Sequence, residues 1–292
     1  FVYLVDSKGK LLTKFNCQTK SVSSLMISND QNFIYTGGKD GLTKLWTLDG
    51  KLIKIFNGHQ GEVTDIDCSR KTGMVFTGSK DNTAILWNEK SKIETIFKGH
   101  SNFINSVDIH PNDSLFLTGS QDGKAKLWDL NGNCLVTYEK DMVFVNSVSF
   151  SADGNFILTG SWNGEAQLWD FHGKLIQEFK GHSNTWNQSA SVTAAIFSAN
   201  DQYVITSSLD NSVRLWDLNG NQFSVYKGHS SGVSSIMQSH DSKSIISSAY
   251  DGTIRRWKLR GIPTFKYLHN GSVSSVAFSH DGHSILSSSW DS

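Results

Sequence analysis

GSKDNTAILW, residues 78–87, is written again with small changes as GSQDGKAKLW (119–128), GSWNGEAQLW (160–169) and SSLDNSVRLW (207–216). In each copy a polar turn, Asp or Asn followed by Gly or Asn, precedes a short run that closes on Trp. An apolar run, such a turn and a second apolar run read as two strands joined by a hairpin. A pattern repeated at fixed spacing marks a chain of stacked units, so the tryptophans serve as a ruler.

Trp46, Trp87, Trp128 and Trp169 are spaced by 41 residues, Trp216 follows after 47, and Trp257 after another 41. Val5 stands 41 residues before Trp46, in FVYLVDSKGKLLTKF, which matches LTKLWTLDGKLIKIF (42–56) and places Phe15 on Phe56. At the far end SHDGHSILSSSWDS (279–292) matches SHDSKSIISSAYDG (239–252), so Trp290 falls on Tyr250 and Asp291 on Asp251. That last unit stops before its final strands, and FVYLV at residues 1–5 fills the missing register. The chain therefore holds seven repeats, one of them cut between the two ends.

Within a repeat, VTDIDCS (63–69) and KIETIF (92–97) alternate apolar and polar residues, whereas MVFTGS (74–79) and TAILW (83–87) are short and apolar. Turns rich in Gly, Asp, Asn and Ser bound each run, and no segment offers a capped amphipathic helix. The pattern predicts four antiparallel strands per repeat, called a, b, c and d.

Composition narrows the function classes. The 292 residues are 38% hydrophobic and 18% charged, as in a folded globular chain. Lys and Arg number 27 and so do Asp and Glu. Phosphate-binding surfaces need a basic excess, so nucleic acid is not expected as a partner. Cys17, Cys68 and Cys134 lie far apart without CxxC spacing, and are expected to be buried free thiols of a reducing compartment, not a metal site. No apolar run approaches the roughly 18 residues of a membrane helix, so no membrane insertion is expected. Nothing resembles a secretory signal, which points to an intracellular protein of cytoplasm or nucleus. The start at Phe1 in place of Met reads as a piece of a longer polypeptide. Oligomeric state is not legible.

Three recurrent features carry a resemblance. Gly-His stands at 58–59, 99–100, 181–182 and 228–229, with His269 in the same register. Asp40, Asp81, Asp122, Asp210, Asp251 and Asp291 stand in the b–c turns, and Trp-Asp occurs at 128–129, 169–170 and 216–217. On these residues the chain resembles the WD-repeat (WD40) β-propeller family over essentially its whole length. The resemblance implies an all-β fold, a seven-bladed propeller of four-stranded antiparallel blades, as a single domain over residues 1–292. A lone four-stranded sheet cannot bury both faces, and packing blades around an axis buries them all. One blade would take strands a and b from residues 272–288 and strands c and d from residues 1–15.

The family's buried tetrad links a loop His, a Ser or Thr on strand b, the turn Asp and the Trp of strand c. By resemblance the sets are His59, Thr77, Asp81 and Trp87; His100, Thr118, Asp122 and Trp128; His182, Thr206, Asp210 and Trp216, beside an insertion; and His229, Ser247, Asp251 and Trp257. Gln18 replaces His in the Trp46 blade, Asp141 and Asn163 hold the His and Asp positions of the Trp169 blade, and Val5 replaces Trp in the split blade. The Trp169 blade and the split blade are accordingly expected to be less rigid. Ser or Thr, His and Asp in one network superficially resemble a nucleophilic triad. The constellation recurs around the ring, however, and a buried Trp N–H needs such a partner. With no G-x-S-x-G, P-loop, H-E-x-x-H or Cys cluster, no catalytic residue, metal or cofactor is expected.

In the family the d–a loops and b–c turns share one face, called top. Phe103, Phe144, Trp162, Leu209, Tyr250 and Trp290 fall there on one sector, and the insertion SNTWNQSAS (183–191) adds Trp186. Lys39, Lys80 and Glu62 occupy the other sector. Grouped aromatics suggest an interface for other proteins or peptides, hence a non-catalytic scaffold or adaptor that binds a peptide or protein loop on the top face. One alternative is the ligand-sensing domain of a larger multidomain signalling protein, for example one with an NTPase module. A remoter one is an enzyme with a central-channel site. The strand a starts, Ser23, Thr64, Asn105, Asn146, Thr193, Ser234 and Ser274, offer hydroxyls and amides, which suit acid–base chemistry poorly.

Overall fold

The structure, a computed structural model, describes residues 1–6, 10–17, 21–28, 30–69, 71–183, 190–239, 241–259, 263–279 and 284–289, with backbone only at 263–266. Among these residues there is no helix; 28 strands form seven antiparallel sheets of four. The Trp87 blade shows the plan: Val63–Cys68 is strand a at the channel, followed outward by Val75–Ser79, Thr83–Trp87 and Ile93–Lys98.

The split blade forms as the repeat register requires. Val2–Asp6 lies between Leu11–Phe15 and Ser284–Ser289, with Val273–Phe278 innermost. The pairing runs from Val2 opposite Ser288 to Asp6 opposite Ser284, so a backbone ladder ties the two ends into one sheet. This pairing closes the ring.

Each blade boundary has its own apolar core. Phe76, Leu86 and Phe97 of the Trp87 blade meet Ile104, Val107, Phe116 and Trp128 of the next. The Gly of the recurrent GS pair is set by this packing. A Cβ at Gly78 would lie 2.7 Å from Ile104 and 2.8 Å from Val107, and one at Gly119 would meet Val148 and Val145 as closely. The turn residues after the Asp have their own cause: Gly123, Gly252, Asn82 and Asn211 have φ of 80°, 78°, 69° and 69°, the left-handed region that Gly and Asn adopt most readily.

One sequence expectation needs correction. Cys17 and Cys68 are buried, but Cys134 is exposed. It opens the outermost strand Cys134–Tyr138, which has no strand outside it to cover the residue.

Candidate functional site

In the four tetrads the side chains are in hydrogen-bond contact. His59 Nδ1 lies 2.9 Å from Asp81 Oδ2 and its Nε2 2.9 Å from Thr77 Oγ1, while Trp87 Nε1 donates to the same hydroxyl at 2.8 Å. The corresponding distances are 2.8, 2.7 and 2.8 Å from His100 through Trp128. They are 2.9, 2.8 and 2.8 Å in the set of His182, despite the insertion beside it. In the set of His229 they are 3.2, 2.7 and 2.8 Å. The Asp also takes the loop backbone: Asp81 Oδ2 accepts Gln60 N–H at 2.8 Å and Oδ1 accepts Thr83 N–H at 2.9 Å. Each tetrad thus pins a top loop and a top turn to the core.

Electrostatics agree with a structural lock. Burial alone would raise Asp210, but the bonds from His182 and Ser212 outweigh it and bring the carboxyl down to about 2. Burial holds His182 below the usual imidazole value, against the pull of Asp210. The Thr and Ser hydroxyls are inaccessible, Thr77, Thr118 and Ser247 entirely so. No substrate reaches them.

The departing blades use other bonds. Trp46 Nε1 still donates to Thr36 Oγ1 at 2.9 Å, and the buried Lys44 ammonium sits 3.3 Å from both Asp40 Oδ2 and the Cys17 carbonyl. Gln18 lies outside the described residues, as does Asp291. In the Trp169 blade, Trp169 Nε1 donates to Thr159 Oγ1 at 3.0 Å, and Asn163 Nδ2 reaches the Asp141 carbonyl at 3.0 Å. In this blade Ser161 Oγ and Gln167 Oε1 are buried without partners. In the split blade, His269 Nε2 lies 3.1 Å from Ser287 Oγ and its ring meets Tyr3 edge-on.

On the top face Trp162 is 51% exposed, Tyr250 45% and Phe103 37%. Phe144 is half-buried, its ring edge-on to Trp162 at 6.0 Å, so it supports Trp162 from below. Leu209 and Tyr250 flank Gly232: a Cβ there would lie 2.7 Å from Leu209 and 3.4 Å from Tyr250. Trp186 and Trp290 lie outside the described residues. The structure adds Val143, 51% exposed on the loop that carries Phe144. Its carbonyl stands 3.1 Å from a Cβ built on Gly123 of the neighbouring turn. The sequence signal was there: the same loop position is Gly61, Asn102, Ser231 and Gly271 in other blades. In the opposite sector Lys80 Nζ pairs with Glu62 at 2.7 Å, and Glu62 accepts the Ser23 hydroxyl at 2.8 Å.

The axial channel has a volume of about 840 Å³. Its wall is stitched from blade to blade by side chains on strand a, which answer the unpaired backbone groups of the inner edge. Near the top, Thr64 donates to the Ile104 carbonyl, Asn105 to Val145, Asn146 to Val192, Ser234 to Val273 and Ser274 to Val22, at 2.6 to 3.3 Å. Deeper down the roles reverse. Val107 N–H donates to Asp65 at 3.0 Å, Ile109 to Asp67 at 2.8 Å and Phe150 to Asp108 at 2.6 Å. Val148 donates to Ser106 at 3.2 Å, Ala195 to Ser147 at 3.0 Å and Phe278 to the Met237 sulfur at 3.1 Å. Between the Trp46 and Trp87 blades the link is Ser24 Oγ to Asp65 Oδ1 at 3.3 Å, besides Ser23 to Glu62.

The channel thus holds three carboxylates that the strand starts alone did not reveal. Burial pushes Asp65 up to about 6, and burial with the neighbouring Asp67 pushes Asp108 well above the usual carboxylate range. A raised carboxyl in a cavity is a candidate acid or base. Here, however, the Asp65 oxygens are taken up by Val107 N–H, Ile66 N–H and Ser24. The channel carboxylates serve the wall.

Among the described residues no helix is long and apolar enough to cross a membrane. The family model described as WD domain, G-beta repeat matches seven times, at residues 9–47, 50–88, 91–129, 132–170, 173–217, 220–258 and 262–292. The first six matched units start at the d strand of one blade and end just past the Trp of the next, and the seventh stops before strand c of the split blade, so every match straddles a blade boundary. No curated protein matches the chain.

Proposed function

The chain belongs to the WD40 family, whose propellers are generally non-catalytic interaction domains, and we propose that it is a scaffold or adaptor that takes a peptide or protein loop on its top face. The observation that carries this reading is the platform of Phe103, Val143 and Trp162, half-exposed and braced by Phe144. Aromatic side chains held on a rigid frame bury large area at small entropic cost, which is how binding hot spots are built. The platform spans the Trp128 and Trp169 blades, and the second of these lacks the imidazole lock. Its loop is tied instead through Asn163 Nδ2 to the Asp141 carbonyl and Gln167 Nε2 to the Lys140 carbonyl, and it carries Val143 where other blades hold Gly61, Asn102, Ser231 and Gly271. Residues 1–292 act as one domain in this reading. The absence of a disulfide among the three cysteines, with Cys134 at the surface, supports a reducing intracellular location.

The test is selection of a displayed peptide library on the wild-type protein, with Trp162→Ala as the counter-target. The proposal expects selected peptides to be lost on the variant while its melting temperature stays unchanged. Peptides that bind both proteins equally would place the site elsewhere.

A further inference from the structure

Apolar and basic side chains are shared unevenly among the outermost strands. Leu52–Asn57 in the Trp46 blade buries only Phe56 and leaves Leu52, Ile53 and Ile55 exposed. Leu11 and Leu12 of the split blade and Ile93 of the Trp87 blade are exposed in the same way. The outermost strands of the Trp128, Trp169 and Trp216 blades each expose a single large apolar residue, Leu135, Ile176 and Phe223. Scattered exposed Leu or Ile needs no explanation, but a grouped set does. Lysine follows the same division. Residues 6–16, 47–57 and 88–98 run from the end of strand c through strand d of the split, Trp46 and Trp87 blades, and hold eight Lys against four Asp or Glu. The equivalent residues of the next three blades, 129–139, 170–180 and 217–227, hold three against five. In register, Lys10-Leu11, Lys51-Leu52 and Lys92-Ile93 lead into three successive outermost strands, and all six side chains are exposed. The combination recurs at Lys174, but Asn133 and Asn221 stand in the blades on either side of it. A Cβ on Gly50 would lie 2.6 Å from Phe15, and Lys54 Nζ bonds the Glu89 carbonyl, so each c–d turn lies against the outermost strand of the blade before it. The row is therefore continuous along the lower rim, at the end of the strands away from the d–a loops.

We propose that this lower rim adsorbs to an anionic phospholipid surface, with the Lys row on the lipid phosphates and Leu52 and Ile53, at the middle of the row, in the headgroup boundary. The protein then lies on the bilayer and spans nothing. Each Lys brings a charge on an apolar stem, and the Leu or Ile beside it adds area that leaves water on contact. The charge complementarity is to a negative surface, and the side chains between the charges select which one. These three strands contain no Trp, Tyr or Arg, on which protein hot spots are built, and their Phe residues, Phe15, Phe56 and Phe97, are buried. An exposed aromatic face for stacking a nucleic-acid base is likewise missing from them. Aliphatic side chains among lysines suit acyl chains beneath phosphates. The top face is no part of this rim, so the inference stands apart from the peptide-binding reading.

Vesicle sedimentation tests the rim. The protein is spun with vesicles of phosphatidylcholine alone and with vesicles that also contain about 30% phosphatidylserine, at low and at high salt. Binding is expected on the anionic vesicles only, and it weakens as salt rises. Lys51→Glu and Lys92→Glu each lower the partition coefficient at least about tenfold, since one attraction is lost and one repulsion gained. Leu52→Ser combined with Ile53→Ser lowers it as well, at unchanged charge. Lys174→Glu, at the isolated copy of the register, changes it by less than about twofold. Every replaced side chain is exposed, and melting curves check that each variant keeps its fold. Equal binding to both kinds of vesicle, binding to neither, or the same loss in Lys174→Glu as in Lys51→Glu would overturn the proposal. Capture of a poly-glutamate peptide without vesicle binding would also overturn it, and would assign the rim to an acidic protein.

Discussion

Replacing Thr118 by Val keeps the shape of the side chain and deletes one hydroxyl. That hydroxyl accepts Trp128 Nε1–H at 2.8 Å and bonds His100 Nε2 at 2.7 Å, with Thr118 wholly buried. Two buried polar groups lose a partner, and each such loss costs about 1–3 kcal/mol. Thr118→Val should therefore destabilise the protein by about 3–4 kcal/mol. Thr159→Val is the internal control. Its hydroxyl accepts Trp169 Nε1–H at 3.0 Å, but the loop position opposite is Asp141, not His. A single buried N–H is orphaned, so the cost falls to about 1.5–2 kcal/mol. The assay is urea unfolding at pH 7.5, followed in parallel by tryptophan fluorescence and far-UV circular dichroism. A twofold ratio between the two losses supports the tetrad as an energetic unit. Equal losses, or a Thr118→Val loss below about 1 kcal/mol, would refute the reasoning.

Three further outcomes are expected. Because burial depresses the folded-state value of His182, its neutral form is the one the fold stabilises. That stability is whole above the ordinary imidazole value and is lost as pH falls through the depressed one. The melting temperature should drop between pH 7 and pH 5, and NMR titration should place the His182 imidazole below 6.5; a value above it would contradict the assignment. Asp108 has the opposite sign, since its carboxyl is raised and its charge is a penalty at neutral pH. Asp108→Asn keeps an acceptor for Phe150 N–H and should stabilise by about 1 kcal/mol at pH 8. The gain should vanish near pH 4, as melting curves at the two pH values would show. Gly119→Val should destabilise by about 1–3 kcal/mol, because its Cβ would press Val148 and Val145 of the next blade at 2.7 and 2.8 Å. Denaturation midpoints read this directly.

The fold was largely legible because its cause is periodic. A spacing of 41 residues, a Gly that must admit the next blade and a cut repeat with its complement at the other terminus need no long-range information beyond the repeat itself. The channel carboxylates were less legible. Asp65, Asp67 and Asp108 look like solvent-facing members of an alternating strand, and their partners are backbone N–H groups one blade away. That relation depends on the rotation between blades, which no repeat pattern encodes. Phe144 stands among the top-face aromatics in sequence, yet its ring lies against Trp162 and braces it. Val143 is legible only when the loops are aligned by register, where it replaces Gly61, Asn102, Ser231 and Gly271 of other blades. Cys134 was expected to be buried on residue type alone, whereas its place on an outermost strand decides its exposure.

The central claim is that the braced tryptophan on the Trp169 blade is the recognition surface. Isothermal titration with one library-selected peptide tests it against three proteins: wild type, Trp162→Ala and Ile176→Ala, the last removing an exposed apolar residue from the outer strand of the same blade. Trp162→Ala should weaken Kd at least about tenfold, the loss typical of a hot-spot residue, and Ile176→Ala should leave it unchanged. An unchanged Kd for Trp162→Ala, or an equal loss in both variants, would contradict the claim.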